Sequence, residues 1–365
     1  SQSSQIKKYE KFKKIYIKEK IDGVNHFLVK GPKINLGFSI KRIISWLIFE
    51  VNVLKIILRS KKEQNPDIII VSSLSILTFI TGIILKKKFK AKLIIEVRDI
   101  YPLTLIEVGG FKKFNPVILV LSIIEKLGYN NADYIVGTMP NLKEHVYNIT
   151  NKNITTICIP QGFDHELEKD ITFFSRVTLE NIKKINKNKF NIIYSGTIGK
   201  ANAIDVLIET AEKIYYKDKK IHFYIMGEGP LKEKYIDETK HLENLTFLPP
   251  IPSIEVYNFL KEFDLLTFMV HNSPVYRYGI SFNKSIDYMR SGIPFIYTYE
   301  GFPSLKNEKE YCFKTNNKND NFSKKIIEIS KINKDELKKM GDKCIEVVYK
   351  NNTFDYLSEK YIELF

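Results

Sequence analysis

The chain has 365 residues, 44% of them hydrophobic and 27% charged, which leaves room for two domains and excludes disorder, collagen-like repeats and a polar low-complexity protein. Fifty-seven basic against 42 acidic residues give a net charge of +15, and residues 1–62 alone hold 15 Lys/Arg and 4 Asp/Glu. That asymmetry points to nucleic acid, an acidic membrane surface or a phosphate-rich substrate, unless it only reflects a lysine-rich surface. Cys158, Cys312 and Cys344 stand far apart with no C-x-x-C pair, which argues against a disulfide scaffold or zinc ribbon and for a reducing compartment.

The first residues are polar and basic without an apolar core, so no signal peptide is read there. A start at Ser1 rather than Met leads us to expect a missing upstream piece. Residues 38–59 read as a helix with a polar stripe of Lys41, Ser45, Asn52, Lys55 and Arg59, the rest being apolar apart from Arg42 and Glu50. Two readings follow: a core helix with a thin solvated edge, or a helix that partly faces lipid, flanked by Lys61–Lys62 and Lys86–Lys88. Glu50 falls opposite the stripe and needs a partner. The uncharged stretch Ile68–Leu85 is 18 residues long, but its serines, threonines and Gly82 divide it into a strand and a helix.

From Asp67 short β-branched runs alternate with helical segments. Strands are expected at 68–71, 92–97, 134–137 and 155–159, with helices near 74–88, 115–129 and 140–149, where Pro140 suits a first turn. A polar, lysine-rich stretch around 165–189 reads as a linker. Strands then return at 191–195, 222–226, 245–248, 265–270 and 294–298, with helices over 202–216, 230–240, 254–262 and 282–291 and Ser253 as an N-cap. The grammar is α/β: two doubly wound, Rossmann-like domains.

Three motifs carry candidate chemistry. In NIIYSGTIGKA, Gly196 and Gly199 allow a tight strand-to-helix turn, and Lys200 with the following helix N-terminus makes an anion site. The spacing matches neither the dinucleotide fingerprint nor the P-loop. In IMGEGPLKEK, Gly227 and Gly229 flank Glu228, so a ligand can approach the backbone at the sheet edge, and Pro230 suits a first helical position. In GISFNKSIDYMRSGIP, Ser281 or Asn283 caps a helix that Gly292 ends. Asn283, Lys284 and Asp287 share its first turns, an arrangement that suits a ribose diol and phosphate oxygens.

Together these motifs resemble, in order and spacing, the C-terminal half of GT-B fold, family 4 retaining glycosyltransferases. The chain is similar to the bacterial members that extend surface polysaccharides, of the N-acetylfucosaminyl- and N-acetylgalactosaminyl-transferase kind. Their "SPNKLFDYMAAGKP" stands here as SFNKSIDYMRSGIP, "EVRDLWP" as EVRDIYP and "IPNGVD" as IPQGFD. The resemblance implies two domains facing across a cleft: an acceptor-binding domain over 1–168 lacking its first strand and glycine-rich loop, a linker at 169–188, and a nucleotide-sugar-binding domain over 189–345. A C-terminal helix, 346–365, would pack back on the N-terminal domain. Gly196, Gly199, Lys200, Gly227, Glu228, Gly229, Ser281, Asn283, Lys284 and Asp287 would serve the donor, with Lys200 on the diphosphate and Asp287 on the ribose. Pro250 and Ile251, in the LPPIP loop, would border the base, and Glu96, Arg98 and Asp99 would be the catalytic group. The wider family's E-x7-E pattern is broken, since its first position is Gly279.

The resemblance further implies retaining transfer from a nucleotide-sugar, UDP favoured, to a polyprenyl-diphosphate-linked or other glycan acceptor in capsule or O-antigen synthesis. The place would be the cytoplasmic face of the membrane, met through the basic N-terminal region. No cofactor is expected, and with no D-x-D triplet no metal is either; Lys200, Lys284 and Arg290 would meet the leaving charge. A catalytically impaired nucleotide-binding fragment is the alternative. A sugar-nucleotide epimerase of the same fold would need His145, His222 or His271 beside paired carboxylates. No zinc finger, RRM signature or basic-aromatic interleaving supports nucleic-acid binding.

Overall fold

The computed structural model describes residues 15–31, 40–59, 65–73, 75–166, 173–305, 307–318 and 320–365. Lys61 and Lys62, with the side chains of Lys41, Arg42 and Arg59, lie outside the described residues. The chain divides into two compact units: the first runs to Val136 and takes in Val146–Thr156, and the second comprises Gly137–His145 and Ile157–Phe365.

The first unit opens with a hairpin of β1 (Tyr16–Ile21) and β2 (Val24–Val29). Asp22 and Gly23 close it, both at positive φ (47° and 82°), as a two-residue primed turn requires. There follow α1 (Ile40–Arg59), β3 (Ile68–Ser72), α2 (Thr78–Phe89), β4 (Lys92–Val97), α3 (Leu103–Glu107) and α4 (Pro116–Asn131), then β5 (Tyr134–Gly137), α5 (Leu142–Thr150) and β6 (Thr156–Cys158), whose residues are shared between the two units. The sheet order is β3-β4-β5-β6, so the described strands wind in one direction and right-handed crossovers put α2 and α4 on one face. Leu93, Ile94 and Ile95 of β4 are fully buried, each contributing roughly 2 kcal/mol of burial. The stretch Ile68–Leu85 is thus a strand and a helix, and among the described residues no helix is long and apolar enough to cross a membrane.

Helix α1 turns a different face inward from the one its pattern suggests. Ser45, expected on the solvated stripe, is buried, while Ile44, Leu47, Ile48 and Val51 are exposed. Glu50, opposite the stripe, is buried as expected and accepts a hydrogen bond from the Thr81 hydroxyl of α2. Burial holds the Glu50 carboxyl above its ordinary value, and the Thr81 hydroxyl works against that.

The second unit contains α6 (Arg176–Lys183), β7 (Phe190–Ser195), α7 (Ile204–Tyr215), β8 (Ile221–Met226), α8 (Lys232–Glu238), β9 (Leu245–Leu248), α9 (Val256–Leu260), β10 (Leu265–Met269), α10 (Asn283–Ser291), β11 (Phe295–Thr298), β12 (Cys312–Thr315), α11 (Asn321–Ile329), α12 (Lys334–Asn351) and α13 (Phe354–Ile362). Its strands pair in parallel in the order β12-β11-β10-β7-β8-β9. The order reverses between β7 and β10, which makes this sheet doubly wound and puts its switch point there. The three cysteines are unpaired.

Several local expectations change. Residues 169–188, read as a linker, contain α6, and the helix docks because buried Glu255 accepts from the Ser175 amide and hydroxyl (3.0 and 2.9 Å) and the Thr178 hydroxyl. Residues from Ile157 onward, expected at the end of the N-terminal domain, group with the second unit, and the C-terminal helices meet them there. The Phe163 amide donates to Asn352 O (3.0 Å) and the Phe354 amide to Phe163 O (2.9 Å). Pro140, Pro230 and Ser253 each precede their α-helix instead of opening or capping it.

Candidate active site

The site in the second unit grows from the end of β7. Gly196 stands at φ +150°, where only glycine is comfortable, and its amide donates to Met226 O (3.0 Å) of the adjacent β8. Gly199 is extended at φ −151°, and a Cβ there would make only ordinary contacts (Thr197 Cγ2 at 3.9 Å, Pro230 Cδ at 4.0 Å), so the turn does not require glycine there. Lys200 begins a short 3₁₀ turn, Lys200–Asn202, and Ala203 at φ 47° separates it from α7. Lys200 is exposed, so its charge is available beside the turn.

The GEG loop has another use than close approach of a ligand. A Cβ on Gly227 would lie 1.9 Å from Gly196 O, and one on Gly229 would lie 2.2 Å from Ile198 O. The Ile198 amide also donates to Glu228 O (2.9 Å). The glycines therefore let two sheet-edge turns stack backbone on backbone. The Glu228 carboxylate is tied to Lys232 at 2.6 Å.

Helix α10 brings the third motif to these turns. Lys284 reaches back to donate to Asn202 Oδ1 (2.6 Å) and Tyr194 Oη (3.1 Å), with its ammonium 4.6 Å from the Tyr194 ring centroid. A Cβ placed on Gly196 would be 3.5 Å from that ammonium, so the cation lies against the glycine turn. Among the described residues no carboxylate pairs with it, and burial pushes its pKa down to about 8. Tyr194 in turn donates to Thr197 O (2.8 Å), bracing the turn.

Asp287, one turn further, accepts from Arg290 at 3.1 Å, and the guanidinium is sandwiched between the rings of Phe163 and Tyr257, 4.6 and 4.3 Å from their centroids. Burial raises the Asp287 carboxyl above its ordinary value, and Arg290 partly offsets this. Tyr288 hydrogen-bonds both strands of the switch point: its hydroxyl accepts from the Ser195 amide (3.0 Å) and donates to Thr267 O (3.0 Å).

Other expected residues fall elsewhere. Neither Ser281 nor Asn283 caps α10; Phe282 is the N-cap residue, without a side-chain bond. Ser281 accepts from the Gln161 amide (3.1 Å), tying the IPQGFD segment to this motif, while Asn283 is exposed at the helix start. Pro250 is exposed and Ile251 half-buried, on a loop that Asn181 of α6 holds by donating to Pro249 O (3.0 Å). Glu96, Arg98 and Asp99 lie at the end of β4 in the first unit, where Ser73 Oγ accepts from the Arg98 and Asp99 amides (2.9 and 3.3 Å). The epimerase histidines are not gathered into one site: His222 bonds Thr246 (2.8 Å), His145 packs against Tyr278, and His271 faces Asp205 (3.1 Å). Among the described residues no cluster of three or more metal-ligating side chains occurs.

Gly279, at the first E-x7-E position, has φ +110°, and a Cβ there would lie 2.4 Å from Pro140 Cδ. The backbone also closes on that segment, with the Asn141 amide donating to Tyr278 O (2.9 Å). A carboxylate side chain does not fit at this position.

The chain has the GT-B fold, and similar solved structures span most of its length. Sucrose-phosphate synthase from Thermosynechococcus elongatus matches with a TM-score of 0.74 at 13% identity, covering 97% of this chain and 85% of that one. A structure of trehalose-6-phosphate from E. coli bound with UDP-2-fluoro glucose matches with a TM-score of 0.71 at 12% identity over 96% of this chain and 89% of that one. Residues 189–331 match the family model described as Glycosyl transferases group 1, so the second unit carries a domain of that kind. Among curated proteins, the poly(ribitol-phosphate) alpha-N-acetylglucosaminyltransferase of Staphylococcus aureus is 26% identical over 71% of this chain and 48% of its own length. The chain thus spans about half the length of that relative. TarM resembles it with a TM-score of 0.60 at 18% identity, covering 87% of this chain and 58% of that one.

Proposed function

We propose that the chain is a retaining glycosyltransferase that moves a sugar from a nucleotide-sugar, UDP favoured, to a polyprenyl-diphosphate-linked or other glycan acceptor of a bacterial capsule or O-antigen. The observation that carries this reading is the Lys284 ammonium, enclosed against the Gly196 turn with no carboxylate partner among the described residues. A cation left uncompensated in that way is preorganised for an anionic ligand, and a diphosphate is the anion a glycosyltransferase donor supplies. Asp287, oriented by Arg290, accepts the ribose hydroxyls, and Lys200 meets the diphosphate from the exposed side. The S. aureus relative, named for an alpha-N-acetylglucosaminyl transfer to poly(ribitol-phosphate), supports an extended polymer as acceptor.

In the proposed transfer, the bond between the anomeric carbon and the diphosphate oxygen breaks, and its electron pair leaves with the phosphate. The acceptor hydroxyl attacks from the same face and gives its proton to a leaving phosphate oxygen. Lys284, Lys200 and backbone N–H groups stabilise the departing charge, worth several kcal/mol, and no metal ion is needed for it. Asp99, at the end of β4 with Glu96 and Arg98, orients the acceptor hydroxyl. The acceptor's lipid anchor places the work at the cytoplasmic face of the membrane.

Calorimetric titration with UDP and GDP, without metal, tests the donor site: micromolar binding of one nucleotide is expected, lost in Lys284→Ala and Asp287→Ala. Transfer to a lipid-linked glycan, with the product anomer read by NMR, tests the reaction. An inverted anomer overturns the retaining step, and binding without turnover leaves the impaired fragment.

A further inference from the structure

We infer that the outer face of the α1–α2–α4 layer docks the first unit on an anionic lipid surface. Helix α2 packs against both neighbours, and the Lys88 ammonium donates to Ile57 O of α1 at 3.1 Å. On the outside, α1 exposes Ile44, Leu47, Ile48 and Val51, the i, i+3, i+4, i+7 stripe that a helix normally buries. Helix α4 exposes Val120, Ile123 and Leu127 in the same spacing, Ile123 at 60%. Phe114, 88% exposed, projects just before the first turn of α4, next to Lys113.

Charge decides what covers this face. The three helices contain two carboxylates, Glu50 and Glu125, and both are buried. Every exposed charge described on them is a lysine: Lys55, Lys87, Lys88 and Lys126, with Lys112 and Lys113 just before α4. A face meant for water mixes both signs. A second copy of the chain would bring the same cations against themselves across a two-fold axis, which costs free energy. A leaflet of anionic lipid supplies both complements, phosphate for the lysines and acyl chain for the apolar stripes.

This inference deepens the membrane part of the proposed function by moving the contact from the basic N-terminal stretch to a defined face. The test is sedimentation of the full chain with phosphatidylcholine vesicles, with and without phosphatidylglycerol. Binding is expected to need the anionic lipid and to weaken with salt. It should fall about fivefold for each lysine neutralised, and further for charge reversal, in Lys87→Glu/Lys126→Glu. Val120→Ser/Ile123→Ser should lose about tenfold or more. Unchanged binding in both variants overturns the inference, as does a dimer in light scattering that Ile123→Ser dissociates while the wild type ignores vesicles. UDP titration of the same variants should match the wild type. Vesicle binding without nucleotide binding would leave the docking face standing and refute the donor reading alone.

Discussion

Lys284 ties nucleotide affinity to pH in a way no surface lysine would. Its ammonium is enclosed by Tyr194, Asn202 and the Gly196 turn, and burial pushes its pKa down to about 8. A diphosphate set against it favours the charged form and raises that pKa, so binding takes up protons wherever the free enzyme has lost them. Affinity is then full below about pH 8 and falls close to tenfold per pH unit above it, giving about a tenfold loss between pH 7 and pH 9. Calorimetry at about pH 8 in buffers of different ionisation enthalpy should detect uptake of roughly half a proton per UDP bound. Lys284→Met should lose about 100-fold at pH 7, roughly 3 kcal/mol, and show no uptake from this source. Wild-type binding with no proton uptake, or a Met variant that binds as well as the wild type, refutes the role given to this lysine.

Gly227→Ala should cost about 2–4 kcal/mol in chemical denaturation, because the new methyl meets Gly196 O at 1.9 Å; Gly199→Ala, extended and unobstructed, should stay within about 0.5 kcal/mol. Thr178→Val removes a donor from buried Glu255 and should cost about 1–3 kcal/mol. Burial pushes the Glu255 pKa up, but the Thr178 and Ser175 bonds outweigh it and leave the value depressed. Its contribution is therefore present above the unfolded carboxylate pKa and lost as pH falls through the folded one, a slope that Thr178→Val should flatten in acid denaturation. His222 is pushed down from 6.5 to about 4, by burial first and the Lys189 charge second. Its neutral form supports the fold fully above about pH 6.5, and up to about 3 kcal/mol should drain away as pH falls toward 4, a loss that His222→Gln should abolish.

The parallel strands were legible because continuous β-branched runs such as IIIV and KLIIEV have no other comfortable home. The hairpin has a clear turn signal in Asp22-Gly23, but its strands, YIKEKI and VNHFLV, lack a buried face, so hydrophobic patterning does not mark them. Helix α6 hid because its buried contacts are polar, Thr178 and Asn181, and hydrophobic patterning does not register them. The partner of Glu50 is Thr81, 31 residues away, so a helical wheel drawn on α1 alone shows that a partner is needed but not which one. In the site, Lys284 and Asp287 were visible as a motif. Tyr194 and Asn202 were not, since a strand tyrosine and a turn asparagine acquire meaning only when Lys284, 90 and 82 residues away, lands on them.

The break in E-x7-E also reads differently once the fold is in view. At the sequence level Gly279 is a missing carboxylate, a loss set against a kept partner at Asp287. In the structure the position is closed: φ of +110° disfavours any side chain, and Pro140 occupies the space a Cβ would need. The segment Gly137–His145 belongs to the second unit and is pinned by the Asn141 amide on Tyr278 O. A carboxylate side chain at this position would need the loop before α10 to repack, so its absence leaves no vacancy here. The loop before α10 therefore contributes backbone alone at this position, and the helix that follows contributes the Lys284 cation.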